Sequence, residues 1–192
     1  MIYEEKNLRN CLLIAMPQLM DPNFLHTVSI MASFDDKGAF GMIVNRPTNL
    51  NANQILGDQL KLEKGNQIPV FFGGPVQINS FWFLHGYPKL HEDGTQILDN
   101  LFMTTNLKTV ETIVNFFGHE EHPKFRFLLG YAGWAAGQLE REISLASWVT
   151  GPIDTEELFS CNPDRLWNTA LARLGVHDPN ALVSPPTSGS AH

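Results

Sequence analysis

Residues 27–34 and 39–45 are two apolar, partly β-branched runs with only Asp35-Asp36-Lys37-Gly38 between them. That spacing constrains the fold more than any other feature of the chain. Two strands so closely linked must pair as an antiparallel hairpin, with Gly38 supplying the positive φ of the turn. A purely parallel, doubly wound sheet is thereby disfavoured, and a mixed sheet is expected.

Further strands are expected at residues 12–16, 68–72, 81–85, 96–103, 125–129 and 144–149. Helical stripes are clearest in two places. After Asn106, apolar residues fall at Leu107, Val110, Ile113, Val114 and Phe117, and Gly118 follows. After the cap Asn162 and Pro163, they fall at Leu166, Trp167, Ala170, Leu171 and Leu174, and Gly175 follows. Shorter helices are expected at 52–60 and, capped by Asp154, at 155–159. Strands interspersed with helices make this an α+β (α/β) chain, expected to form one compact domain over residues 1–183. The polar first ten residues should fray, and residues 184–192 (Ser-Pro-Pro-Thr-Ser-Gly-Ser-Ala-His) should form a flexible C-terminal tail.

Composition narrows the function. With 13 Lys+Arg against 20 Asp+Glu among 192 residues, the net charge is −7, which opposes a dedicated nucleic-acid surface. No apolar run reaches the roughly 18 residues of a membrane span, and no basic-flanked leader precedes Cys11, so a cytoplasmic location is expected. Cys11 and Cys161, the two cysteines, make no disulfide framework and read as reduced, small buried hydrophobes.

The chain lacks a P-loop, a G-x-S-x-G elbow and a C-x-x-C pair. His119-Glu120-Glu121-His122 spaces its histidines by three just past a helix end, with Pro123 following, and reads as a solvated loop rather than a metal site. No catalytic set, metal site or cofactor is therefore assigned. Asn45-Arg46-Pro47 closes the second hairpin strand; Arg46 either grips an anion or forms an internal ion pair with Asp21 or Glu140. Gly73-Gly74-Pro75 leaves a strand, as a tight turn or a close backbone approach. His85 ends another strand, where a structural role is the commoner one. The segment 130–140, Gly-Tyr-Ala-Gly-Trp-Ala-Ala-Gly-Gln-Leu-Glu, reads as a Gly-rich turn between a strand and a short helix, serving either helix–sheet packing or a ligand pocket.

Taken together, Asp21-Pro22-Asn23-Phe24, the run from Gly38 through Asn45-Arg46-Pro47, Phe72-Gly73-Gly74-Pro75-Val76, Leu84-His85, the 130–140 segment and Ser147-Trp148 resemble the YqgE/AlgH family of small bacterial proteins. The resemblance spans about Leu12 to Gly175. It implies a mixed, largely antiparallel, bifurcated sheet curled into a partial barrel and flanked by helices, in a cytosolic bacterial protein. The family carries a label of transcriptional regulator but no settled activity. Members often have an acidic residue and a His where this chain has Ser33 and Phe34, so a mechanism that needs that His does not carry over. The family's usual Gly-His-Ala-like ending is not matched cleanly by Ser188-Gly189-Ser190-Ala191-His192.

The expected function is binding of a partner protein or small ligand. Asn45, Arg46, Gly73, Gly74, His85, Trp134, Gln138 and Glu140 are expected in one neighbourhood. The alternatives are an enzyme acting on an anionic small molecule, with Glu140 or His85 as base and Arg46 as clamp, and a direct DNA-binding regulator using Arg165 and Arg173.

Overall fold

The computed structural model describes residues 8–90, 94–121 and 123–179; the first seven residues, His122 and the 184–192 tail lie outside them. In chain order the elements are β1 (Leu12–Ala15), β2 (Val28–Asp35), β3 (Gly38–Ile43), β4 (Pro47–Asn51), α1 (Ala52–Leu56), β5 (Pro69–Phe72), β6 (Val76–His85), β7 (Thr95–Leu98) and β8 (Leu101–Thr104). They continue with α2 (Leu107–Phe117), β9 (Phe125–Ala135), α3 (Gln138–Ser144), β10 (Trp148–Gly151), α4 (Thr155–Ser160) and α5 (Pro163–Arg173).

The hairpin forms as the sequence predicts: Asp35 faces Gly38, whose φ is +137°. A side chain there would meet the Trp134 carbonyl oxygen at 2.2 Å, so the position admits only glycine. The two long helices begin on the expected caps. Asn106 accepts from the amides of Lys108 and Thr109, and Asn162 accepts from that of Asp164.

Ten strands form one sheet with the path β10-β1-β2-β3-β9-β6-β8-β7. Neighbours along that path are antiparallel. β5 is the exception: it runs parallel to β9 and carries β4 on its outer edge. The split lies on β9. Its early residues pair with β5 (Val70 opposite Phe127, Phe72 opposite Leu129), while its late residues pair on the same edge with β3 (Gly41 opposite Ala132, Gly38 opposite Ala135). β6 occupies the other edge. The sheet is therefore mixed, largely antiparallel and bifurcated.

Both faces are covered. Alternate residues of β1 show how: Leu12 and Ile14 enter one cluster, Leu13 and Ala15 another. The first cluster joins strands from both ends of the path, Leu12 and Ile14 with Ile97, Leu101 and Met103, so the sheet curls into a partial barrel; α4 and α5 close it with Leu158, Leu166 and Trp167. The Trp167 indole donates to the Ala15 carbonyl at 2.7 Å. A second cluster lies under α1 and α2, a third under α3. No helix among the described residues is long and apolar enough to cross a membrane.

Four sequence expectations are corrected. Residues 96–103 are two strands, β7 and β8, because Asp99-Asn100 turns the chain. The run 144–149 starts too early: Ser144 ends α3, and the strand begins at Trp148. The helix expected over 52–60 stops at Leu56, where Gly57 takes φ +55°. The 125–129 strand does not end in a turn but continues through Gly130 to Ala135. β4, unforeseen, is a mostly exposed strand paired only with β5.

Candidate functional site

The residues singled out in the sequence fall into separate places. The first is the split in the sheet. Gly73 donates its amide to the Leu129 carbonyl at 2.6 Å and accepts from the Ile43 amide at 2.8 Å. A Cβ on Gly73 would lie 2.4 Å from the Gly130 oxygen, and one on Gly74 (φ +149°) would lie 2.2 Å from the Tyr131 carbonyl carbon. Here two backbones cross in contact, so the double glycine is architectural. Beside the crossing, Asn45 accepts from the Val28 amide at 2.8 Å and donates to the His26 carbonyl at 3.0 Å. Arg46 donates to the carbonyls of Pro22, Asn23 and Leu25 at 2.8, 2.9 and 3.1 Å. It makes neither expected ion pair. Partial burial lowers its pKa and the nearby Asp21 charge opposes the shift. Arg46 thus fastens the loop before β2 to the end of β3.

A second place lies under α3. Trp134, Trp148 and Phe24 pack ring against ring, with centroids 5.3 to 6.0 Å apart. The carboxylate that anchors them is Glu142, not Glu140. Glu142 accepts from the indoles of Trp134 at 3.0 Å and Trp148 at 2.8 Å, and from Gln138 at 2.9 Å. Gln138 in turn accepts from the Ala135 amide at 3.0 Å. Glu140 is exposed on α3.

His85 stands apart. It is fully buried, packed against the rings of Phe83 and Phe102, and its Nδ1 accepts from the Tyr87 amide. It faces Phe125 at the start of β9, nine residues from Trp134, or roughly 30 Å at the rise of an extended strand. The eight candidates therefore do not form one neighbourhood. Those of the split and those under α3 are held by internal hydrogen bonds and backbone packing.

A different residue meets the criteria for a site. Arg126, the second residue of β9, is only 5% exposed. Its guanidinium lies 4.8 Å from the centre of the Phe71 ring and donates to the carbonyls of Val44 and Leu158. No carboxylate pairs with it among the described residues. A buried cation without an opposite charge is costly, and burial lowers its pKa to about 10.

Arg126 lines a cleft of about 380 Å³ between the ends of β5 and β9 and the α4–α5 junction. Ile68, Phe71, Phe125 and Phe159 supply apolar wall, Cys161 a thiol, and Glu120 and Glu121 an exposed acidic rim. Glu120 is held by the Tyr87 hydroxyl at 3.1 Å; burial pushes the Tyr87 pKa up to about 12. The neighbouring cation, Lys124, is paired with Glu156. A larger depression of about 460 Å³, between Asn10 and the β7–β8 turn, contains no buried charge.

Both cysteines are half-buried free thiols. Cys11 donates to the Leu8 carbonyl at 3.2 Å, and burial raises its pKa to about 11. Among the described residues no group of three metal-ligating side chains occurs, and His122 of the His-Glu-Glu-His loop lies outside them.

Residues 12–178 match the AlgH-like family. A UPF0301 protein of Thioalkalivibrio sulfidiphilus is 39% identical over 173 residues, covering 88% of this chain and 91% of that one. The UPF0301 protein AlgH of Pseudomonas aeruginosa is 39% identical over 175 residues, covering 88% and 90%. The solution structure of AlgH from Pseudomonas aeruginosa superposes with a TM-score of 0.74 at 34% identity over the full length of both chains. A crystal structure of a Corynebacterium diphtheriae protein, at 18% identity and covering 90% of each chain, shares the fold with a TM-score of 0.70. Matched by the family over residues 12–178, 39% identical to the Pseudomonas aeruginosa AlgH over most of both chains and sharing the fold of its solution structure, the chain belongs to the AlgH-like family.

Proposed function

We propose that the protein is a cytosolic binding protein that takes up a small ligand in the cleft over Arg126 and acts on regulation indirectly, without catalysis of its own. One observation carries this reading: a buried guanidinium, with no carboxylate partner among the described residues, lines a cleft with apolar walls. Ligand sites commonly combine an apolar enclosure with a few placed polar groups. The enzyme alternative loses support because the Arg46 donors are taken by the Pro22, Asn23 and Leu25 carbonyls, while His85 is fully buried and Glu140 is exposed on α3. Direct DNA binding is opposed by the −7 net charge and by Asp164, which shares the first turn of α5 with Arg165.

Thermal-shift screening of a metabolite library, followed by calorimetry, tests the proposal. At least one compound should raise Tm, and Arg126→Lys, which keeps the charge without the planar fork, should weaken its binding at least tenfold. A library without a hit rejects the small-ligand reading.

A second reading, docking of a partner protein, is favoured by a different surface. Phe40, Trp82 and Tyr131 form a half-buried aromatic group with centroids 4.7 to 6.4 Å apart. The buried Trp82 indole N–H has no acceptor among the described residues, and Ile78 nearby on β6 is 56% exposed. Aromatic anchors of this kind dominate protein interfaces. Trp82→Ala should abolish capture of such a partner, while Arg126→Lys should leave it intact.

A further inference from the structure

Resting on the small-ligand reading, the geometry points to one ligand class: we infer that the cleft over Arg126 takes a small monocarboxylate with an apolar body. A guanidinium carries five N–H donors in a plane that matches a carboxylate. Two contacts, to the Val44 and Leu158 carbonyls, are made, which leaves donors for a ligand. Both of these acceptors are neutral, so among the described residues the positive charge is oriented but not neutralised. Phe71 backs one side of the guanidinium, as aromatic rings do for arginines that bind planar anions.

The rest of the cleft selects among anions. Ile68, Phe125 and Phe159 offer hydrocarbon, and only the exposed Gln67 adds an amide donor among the described lining side chains, so a body of apolar or aromatic carbon fits better than a polyhydroxylated one. Glu120 and Glu121 at the rim, on a chain of net charge −7, disfavour multiply charged anions such as nucleotides or inorganic phosphate. At about 380 Å³ the space suits a compact molecule. Cys161, lining the same cleft, supplies a chemical reporter. Cys11 stays protonated at pH 8 because its pKa is raised to about 11.

The test uses the full chain at low salt, with sodium benzoate and inorganic phosphate as probes and alkylation of Cys161 by iodoacetamide, read by peptide mass, as the signal. Benzoate should bind and slow Cys161 alkylation at least tenfold at saturation. Phosphate at the same concentration should slow it less than twofold. Arg126→Lys should weaken benzoate protection at least tenfold, and Glu121→Gln should improve phosphate protection.

A second measurement needs no variant and so does not depend on the variants folding. Iodoacetate, itself a small monocarboxylate, transfers its carboxymethyl group to the Cys161 sulfur with loss of iodide and of the thiol proton. Its rate relative to iodoacetamide should be at least tenfold higher at Cys161 than on free N-acetylcysteine. A ratio no higher than that of the free thiol, or protection by phosphate equal to that by benzoate, overturns the inference. If a non-carboxylate compound from the library protects Cys161 where benzoate does not, the monocarboxylate class is wrong and the small-ligand reading stands. If no compound protects it, both fall.

Discussion

The split in the sheet and the cleft over Arg126 lie on the same strand, and they use it in opposite ways. At Gly130 the chain gives up side chains so that two backbones can touch: Gly73 and Gly74 on one side, Gly130 and Tyr131 on the other. At Arg126, four residues earlier, it buries one of its largest and most polar side chains without a carboxylate partner among the described residues. The first arrangement is complete in itself. The second has a charge that no carboxylate balances among the described residues. Distinctive sequence motifs marked the complete region, and an unremarkable strand contained the incomplete one.

Substitutions separate the two. Gly74→Ala should be the most damaging change, because its Cβ would lie 2.2 Å from the Tyr131 carbonyl carbon at a φ of +149°. A loss of about 4 kcal/mol or outright failure to fold is expected, read by urea denaturation. Glu142→Leu should follow, at roughly 3 kcal/mol, since two indoles and Gln138 lose their acceptor together; the emission of Trp134 and Trp148 should shift with it. Arg46→Ala should cost about 1 to 2 kcal/mol and raise amide exchange at Phe24 and Leu25, whose loop it fastens. Arg126→Met should change stability by less than about 2 kcal/mol. Freeing the Val44 and Leu158 carbonyls is offset by removing an uncompensated buried charge. A large stability loss in Arg126→Met with no effect on binding would erase the distinction between the regions.

The smallest effect concerns pH. Burial holds the Cys11 thiol neutral up to about pH 11, against an unfolded value of 9.0. Between those values the folded chain retains a proton that the unfolded chain releases, so this contribution to stability is complete below pH 9 and declines as pH rises to 11. Cys11→Ala should flatten that decline in a pH series of denaturation curves.

Much of the framework could be read from local chemistry. Gly38 with its two flanking runs, and Asn106 and Asn162 before their apolar stripes, specify a hairpin and two helix starts through contacts only a few residues apart. β4 escaped because Pro47-Thr48-Asn49-Leu50-Asn51 is polar and its ladder is formed with β5 alone. In the 130–140 segment the helix packs over Trp134, but residues 130–135 extend β9 where a turn is expected, because glycine serves turns and close backbone crossings alike and only the partner strand tells them apart. Glu142 carries no local signal, because the indole of Trp148 reaches it only across the α3–β10 turn. Arg126 was legible in principle. In Phe125-Arg126-Phe127-Leu128-Leu129 the alternation places Arg126 on the same face as Leu128, which faces the core; a charged residue in a buried register is itself the signal.

The position of β9 in the chain has a consequence for biosynthesis. This strand joins β3, β5 and β6, and β10 must still return to β1, so that Gly151 lies opposite Leu12. On the ribosome, β1, β2 and β3 emerge long before the strands that complete the sheet beside them. A nascent chain that ends before Phe125 carries exposed strand edges and cannot complete the sheet, so its folding must wait until β9 and β10 have been made. Truncation in this protein therefore removes the keystone of the sheet rather than its margin, and partially made chains should depend on holdase chaperones until β10 has emerged.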